Sequence, residues 1–271
     1  MTKPVRIALH GATGRMGKAI ARRIAADEGC ALVVALAGPG DPDLGRDAGE
    51  LAGVAPLGVR VEESAPLDAD VVIDFTTPDA ASAIAARCRD ARVPLVSGTT
   101  GLGPAHQREL DELARVVPVV QAPNMSVGVT VLFHLAELAT RLLGPGYDAE
   151  IVEMHHRHKV DAPSGTAVRL AERVAAARGL NAAEAVVHGR SGQVGPRRDD
   201  EIGVMTLRGG GVVGEHTLVL AGPGERLELV HRAQDRSIFA HGAVRAARWI
   251  VGKPAGRYDM SDVLGVRPLG G

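Results

Sequence analysis

The chain has 271 residues, enough for two modest domains or one large one, and 45% hydrophobic against 23% charged residues excludes a disordered chain. A formal net charge of -1 excludes a global field for nucleic acid or a membrane surface, so any anion recognition has to be local. Only two cysteines occur, Cys30 and Cys88, without metal-ligand or redox spacing. Together with an N-terminus that enters an apolar strand directly and no run long enough to span a bilayer, they predict a cytoplasmic protein.

Strand and helix patterns alternate through the first half. Val5–Leu9 reads as a strand, Gly14 to about Asp27 as a helix, and Ala31–Ala37 and Asp70–Phe75 as strands. A helix over about Asp79–Asp90, a strand at Pro94–Ser97, a helix near Ala105–Ala114 and a strand at Pro118–Gln121 follow. Short, continuously apolar strands separated by helices predict a doubly wound α/β unit, a parallel sheet covered on both faces.

The pattern changes after Asn124. A helix is expected over about Val127–Leu143, with apolar positions at Val131, Leu132, Leu135, Leu138, Leu142 and Leu143. A strand at Glu150–His156 and a helix over about Ser164–Arg178 come next. Mainly strands follow, at Glu201–Leu207, Glu215–Leu220 and Arg226–His231, and their alternation predicts a sheet with one solvated or subunit-facing surface. Residues 179–200 are polar and turn-rich and are expected to form a mobile loop. A last helix covers about Ser237–Val251.

Gly11-Ala12-Thr13-Gly14-Arg15-Met16-Gly17 stands at a strand-to-helix junction, the context a dinucleotide phosphate loop requires. Gly11 permits the tight turn, Gly14 close approach of backbone to a pyrophosphate, and Gly17 close packing of helix on strand. The spacing is GxxGxxG rather than GxGxxG, so an ordinary turn competes until the following strands are considered. The second strand ends at Ala37-Gly38, with neither the acid that would hold a ribose hydroxyl of NAD nor an arginine for the NADP phosphate. Arg15 or Arg46 could reach a phosphate and Asp41 a hydroxyl, but spacing alone supports neither. NADH and NADPH are therefore expected to be accepted with weak discrimination. Two more strand ends, Asp74-Phe75-Thr76-Thr77-Pro78 and Ser97-Gly98-Thr99-Thr100-Gly101, carry small hydroxyl and glycine residues where doubly wound sheets bind ligands.

Residues 153–166 read Glu153-Met154-His155-His156-Arg157-His158-Lys159-Val160-Asp161-Ala162-Pro163-Ser164-Gly165-Thr166, five basic or titratable side chains ahead of a helix start. Lys159 is one of only four lysines in a chain that otherwise uses arginine; a mobile ammonium with an adjustable pKa suits a role there, and chance retention of one lysine is the competing reading. In a fully extended chain His155 and Lys159 would be about 13 Å apart at ~3.3 Å per residue, too far for one small substrate. The chain must therefore curl after the strand. Ser164, Gly165 and Thr166 would start the next helix and present hydroxyl and N–H groups to an anion. A zinc site on His156 and His158 has no third ligand nearby, a solvated basic edge has no wider basic surface, and a buried structural histidine is best placed at His158. Acid–base catalysis by at least one histidine on an anionic substrate is the favoured reading.

These residues resemble those of the 4-hydroxy-tetrahydrodipicolinate (dihydrodipicolinate) reductase family of bacterial lysine and diaminopimelate synthesis. Glu153–Thr166 is similar to its signature almost position by position. The likeness extends to the glycine loop, to 47–53, Gly98-Thr99-Thr100-Gly101, Val213-Gly214-Glu215-His216-Thr217 and 258–264. The resemblance implies a proton donor or acceptor at His155, a second proton donor at Lys159, and a carboxylate site of His156, Gly165 and Thr166. It implies a nicotinamide cofactor, NADH or NADPH, held by residues 11–17, by Gly98, Thr99 and Thr100, and by Ala122, Pro123, Asn124 and Met125. It further implies a dinucleotide-binding domain at 1–126 with 237–271, and a mixed-sheet substrate and tetramerisation domain at 127–236. The reaction would be loss of the 4-hydroxyl and delivery of hydride to a ring carbon of a cyclic dicarboxylate. Ala37-Gly38 stands where relatives often have an acid and a base, and Met125 where an aromatic is common. A reductase for another small dicarboxylate or amino acid, or a nucleotide-sensing module without catalysis, are the alternatives.

Overall fold

The computed structural model describes residues 3–266, which divide into two compact units, 3–127 with 236–266 and 128–235. The first part of the chain runs β1 (Val5–His10), α1 (Arg15–Ala25), β2 (Cys30–Leu36), α2 (Ala48–Ala52), β3 (Val61–Glu62), β4 (Val71–Asp74), α3 (Pro78–Ala91), β5 (Leu95–Ser97), α4 (Pro104–Ala114) and β6 (Pro118–Gln121). There follow α5 (Val127–Leu143), β7 (Asp148–His155), α6 (Gly165–Ala177), α7 (Ala182–Ala185), β8 (Val186–His188), β9 (Ile202–Arg208), β10 (Gly214–Ala221) and β11 (Arg226–Ala233). The described chain closes with α8 (Ser237–Ile250), β12 (Gly256–Tyr258) and α9 (Met260–Leu264). Residues 267–271, assigned from the sequence to the first domain, lie outside the described residues.

The first unit is a parallel sheet of order β12-β6-β5-β4-β1-β2-β3. Ile7, Ala8, Leu9, Val71, Val72, Ile73, Val96, Val119 and Val120 are fully buried whichever way they point, because helices cover both faces. That is why these strands read as unbroken apolar runs rather than alternating ones. The strand order reverses between β1 and β4, so the glycine loop after β1 and the Thr76–Thr77 segment after β4 flank the switch point where such sheets take ligands. Helix α8 packs Ala240, Ala243, Val244, Ala247 and Ile250 into the same core as Ile20 and Ile24 of α1. A Cβ on Gly242 would fall 1.7 Å from the carbonyl oxygen of Met125, so α8 can cross the 122–126 segment only as glycine.

Several short elements were not legible in the sequence. Helix α2 exists because Asp47 caps it, accepting from the amides of Gly49, Glu50, Leu57 and Val59, and α9 because Asp259 and Asp262 form a capping box. Segments of two to five residues carry no periodicity to detect.

The second unit has a mixed sheet of order β11-β10-β7-β9-β8, with β10 antiparallel to both neighbours and β7, β9 and β8 mutually parallel. Ala149, Ile151, Ile202, Val204, Leu218 and Leu220 face one core with Leu132, Phe133 and Ala136 of α5 and Leu170, Ala171 and Val174 of α6. Of the α5 positions expected to be apolar, Leu132 is buried and Leu143 packs partly on that core, while Val131, Leu135, Leu138 and Leu142 are exposed. The buried face is made by Val129, Thr130, Phe133, Ala136 and Thr140 together with Leu132. The segment expected to be a mobile loop is in fact tied down. It includes α7 and β8, and beyond them Arg190 pairs with Glu150 and Glu201 while Arg197 reaches Asp148, Glu150 and the Ala149 and Glu201 carbonyls. Among the described residues no helix is long and apolar enough to cross a membrane.

Candidate active site

In the first unit, the loop from Gly11 to Gly17 is shaped by backbone contact. Gly11 has φ +85°, and a Cβ there would lie 2.5 Å from the Phe75 carbonyl oxygen. A Cβ on Gly17 would lie 2.0 Å from the Gly11 carbonyl oxygen, so the first turn of α1 sits directly on the loop. The amides of Gly11 and Ala12 both donate to Leu36 O at the end of β2, which fixes the loop to the strand beside it. Gly14 and Arg15 remain exposed at the N-terminus of α1, whose first turn holds no acid. An exposed 11-residue helix start with close-packed glycines fits a pyrophosphate, so the residues present suit a dinucleotide. Ala12 and Gly17 are buried and shape the cradle from beneath, with Met16 packed on the core, and Thr13 hydroxyl donates to Asp41 at 2.7 Å.

The strand ends beside this loop are joined through a wholly buried carboxylate, Asp74. It is paired with His10 Nδ1 at 2.8 Å and accepts from Thr76 at 2.7 Å, Thr99 at 2.7 Å and Ser97 at 3.3 Å. Thr99 hydroxyl also accepts from the Thr76 amide, so its side chain is committed to the protein and only its backbone is left for a ligand. Gly98 is required because a Cβ would lie 2.2 Å from the Phe75 ring. Thr100 and Pro123 are exposed, Ala122 and Met125 are buried, and Asn124 Oδ1 accepts from the Ser126 amide at 2.9 Å. Met125 therefore serves packing beneath α8, and the exposed edge of this segment is Pro123–Asn124.

In the second unit, β7 ends at His155 and the chain turns at once, with the Lys159 amide donating to His156 O at 3.1 Å and the Arg157 amide to Gly210 O. This is the curl the sequence required. His155 is buried, and its Nδ1 lies 2.5 Å from Glu153 Oε2. Glu153 is itself fully buried. Its carboxylate also accepts from the Ser164 amide at 2.9 Å, from Thr206 at 3.2 Å and from both terminal nitrogens of Arg208 at 2.9 and 3.0 Å. Burial alone would raise the Glu153 pKa, but the bonds from Arg208, His155 and the Ser164 amide outweigh it and hold the carboxyl below its usual range. For His155 burial dominates and lowers the pKa, opposed by Glu153 and assisted by the positive charges of Lys159 and Arg208.

Ser164 caps α6, accepting from the Ala167 amide at 3.2 Å, and its hydroxyl meets Nε2 of buried His216 at 3.1 Å. Burial, and next the neighbouring His155, push the His216 pKa down to about 4. The His155 and His216 rings meet edge to face with centroids 5.2 Å apart. Lys159 Nζ pairs with Asp161 at 2.8 Å. His156 is half-buried, with Nδ1 enclosed and without a hydrogen-bond partner. Gly165 is exposed at the start of α6 and Thr166 lies beside it. The expectation that His158 is a buried structural histidine is wrong: the strand has already ended, His158 is exposed, and the buried histidine is His155. Among the described residues no group of three histidine, cysteine or acidic side chains is placed to hold a metal ion.

Sequence reasoning assigned no role to Glu153, Arg208 or His216. Glu153 could have been found, since residues two apart on a strand share a face. Arg208 and His216 come beside it only through strand register, Glu153 lying opposite His216 on β10 and His155 opposite Arg208 on β9.

A doubly wound sheet with a close-packed glycine loop, and a second sheet holding a buried histidine among anion-binding groups, define a nicotinamide-dependent oxidoreductase. The chain matches the family descriptions "Dihydrodipicolinate reductase, N-terminus" over residues 5–125 and "Dihydrodipicolinate reductase, C-terminus" over residues 128–264. It is 51% identical over 264 residues to a 4-hydroxy-tetrahydrodipicolinate reductase of Alkalilimnicola ehrlichii, covering 96% of this chain and 99% of that one. It is 53% identical over 270 residues to one of Anaeromyxobacter dehalogenans, covering 98% and 99%. A solved dipicolinate-bound dihydrodipicolinate reductase from Paenisporosarcina sp. TG-14 superposes with a TM-score of 0.75 at 25% identity, covering 94% of this chain and 97% of that one. The chain belongs to the dihydrodipicolinate reductase family.

Proposed function

We propose that the protein reduces 4-hydroxy-tetrahydrodipicolinate to tetrahydrodipicolinate with NADH or NADPH, in lysine and diaminopimelate synthesis. Residues 1–126 with 237–271 serve the cofactor and residues 127–236 the substrate and subunit contacts. The observation that carries the reading is the Glu153–His155 pair, a buried carboxylate fixing a buried imidazole beside Lys159 and an open helix start. The related enzyme of Paenisporosarcina is described as bound to dipicolinate, an aromatic ring with two carboxylates.

On this reading one substrate carboxylate is met by the Gly165 and Thr166 N–H groups and the Ser164 side of the helix start, where the dipole favours negative charge. The half-buried His156 ring, on the turn after β7, adds a further hydrogen-bonding group to that site. Bound dicarboxylate raises the His155 pKa that burial lowers, so the imidazole gains a proton as the substrate arrives. Gly11, Ala12, Thr13, Gly14, Arg15, Met16 and Gly17, with Gly98, Thr99 and Thr100 and with Ala122, Pro123 and Asn124 above the packed Met125, would hold the nicotinamide cofactor, which would supply hydride. Loss of the 4-hydroxyl as water leaves a conjugated imine. Hydride adds to a ring carbon, and His155 or Lys159 delivers the proton that quenches the resulting electron density. Net, one hydride and one proton are consumed and one water is released.

The reading includes a cytoplasmic homotetramer. Support comes from the outer sheet face, where Val152 lies opposite Thr217 and Met205, Met154 opposite Leu207, and Thr217 opposite Val230. Leu207 and Val230 are 49% and 45% exposed on that face.

The test follows cofactor oxidation with freshly made cyclic substrate, NADH and NADPH in parallel, for the wild type, His155→Ala and Lys159→Ala. Turnover in the wild type with losses of several decades in both variants is expected. Wild-type turnover in the two variants, or activity on an amino acid with none on the ring, overturns the reading.

A further inference from the structure

We propose that Arg208 is a positioning residue that holds His155 and Lys159 in register with one another. This rests on the roles given to those two residues above. Arg208 closes β9 directly opposite His155 in the parallel ladder, so strand pairing delivers its side chain to the end of β7. Its guanidinium then makes contacts in two directions. Toward β7 it grips Glu153 with both terminal nitrogens, at 2.9 and 3.0 Å, the two-pronged geometry a planar fork offers to a carboxylate. Away from β7 the same two nitrogens donate to Leu207 O at 2.7 Å and to Asp161 O at 2.6 Å.

The two directions lead to the two reactive groups. Glu153, gripped by Arg208, faces His155 Nδ1, so an ionised carboxylate accepts the Nδ1 proton and leaves Nε2 as the nitrogen that exchanges protons. Gly214 keeps that nitrogen clear, because a Cβ there would lie 2.9 Å from it. On the other side, Asp161 is the partner of Lys159 at 2.8 Å, and its carbonyl is what Arg208 holds. The path His155–Glu153–Arg208–Asp161–Lys159 thus runs through one rigid side chain that joins the end of a strand to the turn beyond it. A lysine at 208 would keep the charge beside Glu153 but could not span both carboxylate oxygens and the Asp161 carbonyl.

The experiment compares wild type, Arg208→Met, Arg208→Lys, His155→Ala and the double variant His155→Ala/Arg208→Met, all as the full chain with the cyclic substrate and NADH. Arg208→Met is expected to lower kcat by about a hundredfold with the KM for NADH unchanged, since misplacement of reacting groups is paid for in the chemical step. Arg208→Lys should recover part of that loss, and so should free guanidinium added to Arg208→Met below unfolding concentrations. The limb of the kcat/KM profile that reports His155 should move to higher pH in Arg208→Met, because a positive charge that lowers that pKa has gone. A structural defect would scale the profile down without moving the limb. In the His155→Ala background the Arg208→Met change should cost less than about tenfold, because the larger branch of its action is already lost.

If Arg208→Met does not fold, the pH limb and kcat of Arg208→Lys decide. Wild-type kcat in the Arg208 variants, an unmoved limb, or the full loss repeated in the His155→Ala background each overturn the proposal. His155→Ala with undiminished turnover instead overturns the assignment of His155, and this inference with it. The separate His155→Ala result therefore tells the two failures apart.

Discussion

Glu153 Oε2 stands 2.5 Å from Nδ1 of His155, two residues further along the same face of β7, and both side chains are buried. A carboxylate so placed selects one tautomer and steadies the imidazolium that forms during proton transfer. Glu153→Gln is nearly isosteric but can neither carry the charge nor satisfy all five of the donors that converge on it. It should reduce kcat by about a hundredfold or more, with the KM for the nicotinamide cofactor unchanged. Steady-state kinetics with the cyclic substrate check this; a wild-type kcat would show that His155 needs no partner.

Protonation of His216 should be visible in stability. Its folded pKa of about 4 lies below the ordinary ~6.5 of the unfolded chain, so between those values the unfolded state binds the extra proton. Stability is therefore retained above about pH 6.5 and lost as pH falls toward 4, by an amount on the order of 3 kcal/mol from this group. His155, also lowered, acts in the same direction. Thermal midpoints measured across that window should fall steeply for the wild type. In His216→Gln, which retains an amide to meet the Ser164 hydroxyl, the slope should be shallower. An unchanged slope would mean that His216 does not titrate there.

The doubly wound half was legible because its strands are covered on both faces, leaving Val71-Val72-Ile73 as an uninterrupted apolar signal. The curl after His155 was legible from distance alone. What stayed hidden depends on register: nothing in the spacing from 153 to 208 or to 216 says that β9 and β10 flank β7 on either side. The α5 face was misread for a related reason. Leu135, Leu138 and Leu142 are exposed because Val129, Phe133, Ala136 and Thr140 share the packed face with Leu132, and hydrophobicity alone does not tell direction. The 179–200 segment reads as mobile because it is polar, yet it contains α7 and β8, and Arg190 and Arg197 turn its polarity into ion pairs with Glu150, Asp148 and Glu201.

Two glycines that the sequence treats alike should behave differently on substitution. A Cβ at Gly17 meets the Gly11 carbonyl oxygen at 2.0 Å and the Ala12 backbone at 2.8 Å, atoms that cannot yield without moving the loop. Gly17→Ala should cost about 2–4 kcal/mol and weaken cofactor binding together with stability. Gly165, with nothing within 4 Å of its Cβ, should accept alanine with stability unchanged within about 0.5 kcal/mol, because the helix N–H is retained. Denaturant unfolding with a parallel NADH titration measures both. A tolerated Gly17→Ala would show that the helix start can back away from the loop.

Cofactor choice turns on what replaces the missing acid at Ala37. The β2 end itself is Leu36, whose carbonyl is occupied by the Gly11 and Ala12 amides, and the next carboxylate along the chain is Asp41. Asp41 accepts from the Thr13 hydroxyl at 2.7 Å and from the Asp43 amide at 2.9 Å, and the Thr13 bond foremost keeps its pKa below the usual range. An ionised carboxylate is thus fixed to the phosphate loop, where it disfavours an additional phosphate without excluding it, because the group is solvated and screened. Wild-type kcat/KM for NADH and NADPH should differ by less than two decades, NADH ahead. Asp41→Asn, which keeps the acceptor for Thr13 and removes the charge, should improve the NADPH-to-NADH ratio by about three- to tenfold. A wild-type preference beyond two decades would reject weak discrimination, and a ratio unmoved by Asp41→Asn would place the discriminating group elsewhere than on Asp41.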